Sequence, residues 1–348
     1  MGDDMSMNPR FPAEWEPQSA ILMAWPHEGT DWADRLDAVE RCFAQIITGI
    51  CASQQLILCV PDERIEQQAR AQLILAQCNL NNLIVVRLPY NDTWLRDSGP
   101  ITLKNSDNSN LLLDFHFTAW GGKFEASLDD EIISQLLKLD TFINTSHQRI
   151  DFALEGGGIE TDGEGTLLTT WHCMHERHPD KSREEISHIL MSSLRQDRVL
   201  WLNYGYLEGD DTDAHIDTLA RFASPTAIVY QGCQSESDSH YVELQKMALE
   251  ISQLRRTNGM AYELFELPWP EPILDKGRRL AASYANFLII NGAVLMPIYD
   301  DPADQRAIVV MQKAFPAHEI IPINCRDLIW QNGSLHCCTM QLPIGLLA

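Results

Sequence analysis

Short apolar runs alternate with longer amphipathic stretches along the whole chain, and no linker or low-complexity tract interrupts them. A brief apolar run bounded by turn residues reads as a strand, and apolar residues at three- and four-residue steps read as a helix face. Strands are predicted at 55–60, 83–88, 111–117, 165–170, 198–203, 227–230, 285–290, 294–298 and 319–323. Helices are predicted at 34–53, 63–77, 128–139, 182–194, 239–256 and 304–315. In the first helix Leu36, Val39, Cys42, Phe43, Ile46, Ile47 and Ile50 share one face. The last follows Asp300-Asp301-Pro302, an acidic start with an early proline, as helix N-termini favour. Residues 105–110 are the most polar stretch and read as a hairpin loop. This alternation predicts an α/β or α+β chain folded as one domain over 11–348, after a flexible segment at 1–10. With 348 residues, 45% of them hydrophobic, there is ample material for a core. No G-x-G-x-x-G follows the first strand, which excludes the dinucleotide-binding version of the class. A repeated strand–helix unit is compatible with the spacing but is too degenerate to be established by it.

Charge narrows the partners. Asp plus Glu number 49 against 26 Lys plus Arg, a formal charge of -23. Such a surface repels phosphate backbones and anionic membranes, so neither nucleic acid nor membrane is an expected partner, whereas small cations are attracted. Solubility alone is an equally ordinary reason for acidity. The nine cysteines are odd in number and lie mostly in apolar runs, which argues against a disulfide framework. The absence of C-x-x-C argues against a ribbon-type zinc site. The start Met1-Gly2-Asp3-Asp4-Met5-Ser6 formally fits a myristoylation pattern but lacks a basic second signal. Without an apolar leader or a membrane-length run, a cytoplasmic protein is expected.

Four polar segments at strand ends carry the chemistry: Asn91–Pro100, with Trp94, Arg96 and Asp97; Leu154–Glu160, with Glu155 before three glycines; Gly209–Asp217, with Asp211, His215 and Asp217; and Asn332–Gln341, with Cys337 and Cys338. Each has an ordinary explanation: a surface ion pair, a glycine turn, a solvated acidic loop, a buried thiol pair. Together they fit one another. A thiol needs a histidine to become a nucleophile, and the histidine needs an acid to fix its tautomer. The i,i+2 spacing of His215 and Asp217 puts both on one face if that segment is a strand. Asp211 and Glu155 have no basic neighbour close in sequence and suit a cationic ligand, a guanidinium above all. A metal reading competes: His172, Cys173, His175 and His178 could be a ligand cluster or a plain connecting loop, and Asp211, Asp213, His215 and Asp217 could hold a divalent ion.

The four segments, with Trp25-Pro26, Asp162–Thr170 and Ser283–Phe287, resemble the agmatine deiminase family, also called the bacterial-type peptidylarginine deiminase family, from about Phe11 to Pro343. The resemblance implies a pentein fold, a five-bladed α/β propeller with pseudo-fivefold repetition around a central acidic funnel. It implies Cys337 as nucleophile, His215 as general acid/base, Asp97 and Glu155 as guanidinium-binding carboxylates, and Asp217 completing the cluster. Trp94 and Asp211 match positions that contact the far, amine end of the substrate in agmatine-specific members. The reaction so implied is hydrolytic deimination of agmatine to N-carbamoylputrescine and ammonia, without metal or organic cofactor. Peptidylarginine or another small guanidine is the alternative substrate, and a catalytically silent binding module the alternative class. Free arginine would call for an Arg or Lys to meet its α-carboxylate, and the four segments offer only Arg96. A homodimer is the base-rate expectation. The chain departs from the family at Gln331-Asn332-Gly333-Ser334, where many members carry three glycines, and at Cys338 and Met340.

Overall fold

The computed structural model describes residues 9–139 and 141–347. The flexible segment expected over 1–10 lies, up to residue 8, outside the described residues; Arg10 itself forms a β-bridge with Lys104. All nine predicted strands and all six predicted helices are present, with ends shifted by a few residues.

Among the described residues the strands form five sheets of like connectivity and one two-stranded ribbon. Four sheets are three-stranded: Ile101–Lys104, Asn110–His116 and Thr145–Ala153; Ile159–Thr161, Thr166–Thr170 and Arg198–Leu202; Ala220–Ser224, Ala227–Gln231 and Glu263–Leu267; Leu288–Ile290, Ala293–Ile298 and Glu319–Asn324. In each, the first two strands pair antiparallel through a short turn and the second pairs parallel with the third. A parallel partner needs a crossover long enough to return the chain, and helices fill it: Ile132–Lys138, Trp171–Arg177 with Arg183–Leu194, Tyr241–Gln253, and Asp304–Ala314 respectively. The fifth sheet repeats the pattern with the two chain ends. Met340–Pro343 pairs antiparallel with Gln18–Ala24, which pairs parallel with Gln55–Val60, followed by Leu83–Arg87; Leu36–Cys51 and Glu63–Leu75 are its crossovers. The predicted face of Leu36–Cys51 is buried at Val39, Cys42, Phe43, Ile46, Ile47 and Ile50.

Two local expectations are corrected. The run His172–His178 is not an open loop but largely a helix, Trp171–Arg177, started by the Thr170 side chain accepting from the Cys173 N–H. Its histidines do not converge: His175 stacks on Trp171, and His178 stacks on Phe152 and bonds the Ala153 carbonyl. His215 and Asp217 do not lie on a strand either; Ile216–Thr218 is a 3-10 turn. No helix of the described residues is long and apolar enough to cross a membrane.

Candidate active site

Strand ends and tight turns, rather than strand middles, carry the polar residues. Leu95–Ser98 is a single helical turn holding Asp97, Gly156–Gly158 is a 3-10 turn after Glu155, and His336–Cys338 is another, holding the thiol. Turns of this kind aim side chains inward from different sheets onto one point. Asp97, Glu155, His215, Asp217 and Cys337 are all 5% exposed or less, so five reactive groups far apart in sequence share one buried centre.

Gly157 marks that centre. A Cβ built there would fall 2.6 Å from His215 Nδ1, 2.9 Å from Asp97 Oδ1 and 3.1 Å from Asp217 Oδ2. Its backbone N–H donates to Asp97 Oδ1 at 2.9 Å. The glycine is therefore required by close approach and by the bond its own backbone makes. Gly156 is equally confined, since a Cβ would meet the Arg96 carbonyl oxygen at 2.2 Å.

His215 lies between two carboxylates. Its Nδ1 is 3.7 Å from Asp97 Oδ1, and its Nε2 is 3.4 Å from Glu155 Oε2. Burial alone would discharge the ring, but Asp97 and then Cys173 and Glu155 raise its pKa well above the ordinary histidine range. Glu155 is held from its other side, where Arg177 Nε donates to Oε1 at 2.7 Å. Arg177 also reaches Asp213 Oδ2 at 2.6 Å and the Thr212 carbonyl at 2.9 Å, tying Glu155 to the loop that carries Asp211. Burial pushes Asp97 up to about 6; His215 and the Trp120 N–H oppose that, and the Asp217 and Glu155 carboxylates add to it.

The thiol has acidic company. Cys337 Sγ is 3.4 Å from Asn286 Oδ1 and 3.9 Å from Asp217 Oδ2. Burial first, then Asp217 and Asp97, raise its pKa well above the usual thiol range and so favour the neutral thiol. Asp217 in turn accepts from His336, whose Nδ1 and Nε2 face Asp217 Oδ2 and Glu14 Oε2 at 2.8 Å each. Burial, with Arg221 and Arg96 adding to it, lowers the His336 pKa, while Glu14 and the bond to Asp217 oppose that. Arg221, fully buried, closes this layer with bonds to Glu14 and Glu160. Cys338 faces the other way, onto the Leu335 carbonyl at 3.2 Å within the apolar core.

A pocket of about 470 Å³ opens above Cys337 and Asp97. Trp94, Trp120, Phe117, Phe124 and Trp330 line it together with Asp92, Asp129 and Asp211. Trp94 packs on Trp32 and leaves no room for a side chain at Gly333, where a Cβ would fall 2.3 Å from its ring. Asp211 sits at the mouth, accepting from Asn332 Nδ2 at 2.9 Å. The altered segment before the thiol thus contributes a glycine under Trp94 and an amide on Asp211.

Several working residues escaped the sequence reading. Trp120, in the left-handed region at φ 57°, donates its ring N–H to Asp97 Oδ2 at 2.9 Å. Arg177 sat inside the histidine-rich run, and Asn286 inside a segment singled out only for its resemblance. Arg278 also lines the pocket, bonded to Asn332 Oδ1 and the Trp330 carbonyl. Arg96 is still the one Arg or Lys of the four segments, and Arg278 reaches the pocket from outside them. Arg96 itself is buried on Gln341 and the His336 carbonyl, beneath the site.

A family model described as Porphyromonas-type peptidyl-arginine deiminase matches residues 10–343. Agmatine deiminase of Pseudomonas aeruginosa (strain UCBPP-PA14) is 32% identical, over 96% of this chain and 95% of the relative. Among solved structures, a Porphyromonas gingivalis protein provisionally named an arginine deiminase is 46% identical with a TM-score of 0.90, covering 98% of this chain and 100% of that one. Agmatine deiminase of C. jejuni, as a cysteine-to-serine variant with substrate bound, is 33% identical with a TM-score of 0.90, covering 99% of both chains. On sequence and fold alike, this chain belongs to the Porphyromonas-type peptidyl-arginine deiminase family.

Proposed function

We propose that the protein hydrolyses agmatine to N-carbamoylputrescine and ammonia through a covalent adduct on Cys337. The observation that carries this is the buried thiol at the floor of an acidic, aromatic pocket, with Asp97 and Asp217 beside it. A planar cation entering there is held by the two carboxylates and removes the repulsion that keeps the thiol protonated. The thiol proton leaves to solvent, and the thiolate attacks the guanidinium carbon. His215, as imidazolium, gives a proton to one amino group, the C–N bond breaks and ammonia departs. The resulting thiouronium cation is attacked by water, one of whose protons returns to His215; collapse to the urea carbonyl breaks the C–S bond, and the hydroxyl proton passes to the departing sulfur to restore the thiol. Guanidinium plus water thus becomes urea plus ammonium.

The roles of two carboxylates differ from what the resemblance implies. Glu155 has one oxygen on Arg177 and the other toward His215 Nε2, which suits orienting the imidazole rather than holding substrate. Asp217, beside the sulfur, takes the guanidinium with Asp97. Trp94 and Asp211 receive the aliphatic and amine end. The five like sheets, closed by pairing of the chain ends, support a five-bladed propeller whose blade ends converge on this funnel.

An ammonia-release assay with agmatine, free arginine and a blocked arginine peptide tests the substrate. Agmatine is expected to have the highest kcat/KM, and comparable turnover of the peptide overturns the assignment. Arg278 at the mouth favours a second reading, free arginine, because it offers a cation to an α-carboxylate. That reading requires arginine turnover to exceed agmatine turnover and to collapse in Arg278→Ala.

A further inference from the structure

The face of His215 turned away from the substrate meets a second cysteine. Cys173, on the helix Trp171–Arg177, is fully buried, and its sulfur, a His215 ring nitrogen and a Glu155 oxygen all lie within 4.8 Å of one another. Glu155 Oε2 and both His215 ring nitrogens are buried without a well-formed hydrogen bond among the described residues, and Nε2 and Oε2 meet only as an ion pair at 3.4 Å. Orphaned polar atoms in such a place are costly, and here they converge. A Cβ on Gly158 would lie 3.5 Å from Cys173 Sγ and 3.8 Å from His215 Cδ2, the ring carbon bonded to Nε2, so Gly158 packs against both the sulfur and that edge of the ring. The same construction at Gly157 meets Nδ1, Asp97 and Asp217. The ring therefore has a substrate side and a sulfur side.

We propose that Cys173, His215 Nε2 and Glu155 Oε2 form an inhibitory site for Zn2+. Thiolate, imidazole and carboxylate are the ligand types zinc selects, and three protein ligands leave a fourth position for water. Bonds of about 2.0–2.3 Å in a tetrahedron separate the donor atoms by about 3.3–3.8 Å. The Nε2–Oε2 separation is 3.4 Å, so two ligands already stand at the required spacing, and the Cys173 sulfur lies within 4.8 Å of both groups. Binding displaces the Cys173 thiol proton and the His215 Nε2 proton, leaving one cation of charge +2 against two anionic ligands. The groups that would hold these ligands in orientation are in place: Arg177 bonds Glu155, and Thr170 Oγ1 bonds the Ala214 carbonyl beside His215.

Metal on Nε2 removes the imidazolium that protonates the departing ammonia while leaving the Nδ1 side and the pocket open. Zinc thus lowers kcat with little change in the KM for agmatine. This consequence rests on His215 being the acid/base; the site itself does not.

Chelator-treated protein titrated with Zn2+, and with Co2+ as the spectroscopic probe, tests the proposal. Wild type and Cys337→Ala are expected to bind one ion per chain and to show a near-ultraviolet thiolate-to-cobalt band. Cys173→Ser is expected to lose the band and at least about tenfold in Zn2+ affinity. Cys173→Ala, with circular dichroism to verify folding, repeats the measurement should the serine variant be unstable. A band that survives in Cys173→Ser and Cys173→Ala but vanishes in Cys337→Ala puts the metal on the nucleophile and overturns the proposal, as does the absence of any band in wild type. Saturating Zn2+ is expected to lower wild-type kcat at least about a hundredfold. Cys173-dependent binding with unchanged turnover upholds the metal site and overturns instead the acid/base role of His215.

Discussion

Cys337 and Cys338 adjoin in sequence and share a 3-10 turn, yet one reaches the pocket floor and the other is sealed in the core with no exposure. Cys337→Ala is expected to lower turnover at least about a thousandfold with the fold retained. Cys338→Ala removes only a small core atom and is expected to leave kcat within about threefold while costing about 1 kcal/mol of stability by denaturant melt. Arg177→Gln frees Glu155 and the Asp211 loop together; kcat should fall about ten- to a hundredfold. Steady-state kinetics on these variants checks all three, and full activity in Arg177→Gln would remove its positioning role. Asp92 belongs to the same scale. Burial, with Asp31 and Asp129 adding to it, pushes its carboxyl up to about 7. A carboxyl raised by folding favours the folded state below its ordinary pKa, and that contribution is lost as pH rises through about 7. Asp92→Asn should therefore raise Tm more at pH 8 than at pH 4; a lower Tm at pH 8 contradicts the shift.

The decisive elements are very short ones. Strands bring the chain to the site, but the three-glycine turn after Glu155 lets Asp97, His215 and Asp217 meet over one backbone atom. Gly157→Ala should cut kcat/KM with agmatine at least about a hundredfold, because the new methyl would displace all three groups. Activity near wild type would mean that their convergence is not needed for turnover. The helix Trp171–Arg177 works likewise: two turns place Cys173 against His215 and Arg177 against Glu155, facing one buried layer. Its histidines, the most conspicuous residues in the run, pack outside that layer.

At the scale of the molecule, the last strand completes the first sheet. Met340–Pro343 pairs with Gln18–Ala24, and Cys337 stands just before it. A chain ending at Thr339 should therefore fail to fold cooperatively, as read by circular dichroism and thermal melting, even though Cys337 is retained. The charge of -23 acts over the whole surface. Attraction of a dication by such a field predicts that kcat/KM for agmatine falls as salt rises, since the Debye length shrinks from about 10 Å at 0.1 M to about 3 Å at 1 M. An unchanged kcat/KM across that range would show that steering contributes nothing.

Some of this was legible in the residues alone. Apolar runs such as Gln55–Val60 and Ala293–Ile298 announced their strands because a strand buried on both faces must be apolar throughout. The periodic face of Leu36–Cys51 announced its helix for the same reason of burial. The strand Thr145–Ala153 gave no such signal, being mostly exposed and polar, and Ile159–Thr161 was too short to show a period. The motif residues Asp97, Glu155, His215, Asp217 and Cys337 could be named from sequence because their types and neighbours are distinctive. Their contacts could not, since local spacing says nothing about which turns of different sheets will meet. Tertiary structure alone decided that Glu155 belongs to Arg177 and His215, that Trp120 bonds Asp97, that Arg278 reaches the pocket, and that Cys173 rather than a histidine cluster stands beside the His215 ring. Burial pattern is a property of each segment, whereas a polar site is a property of where segments converge.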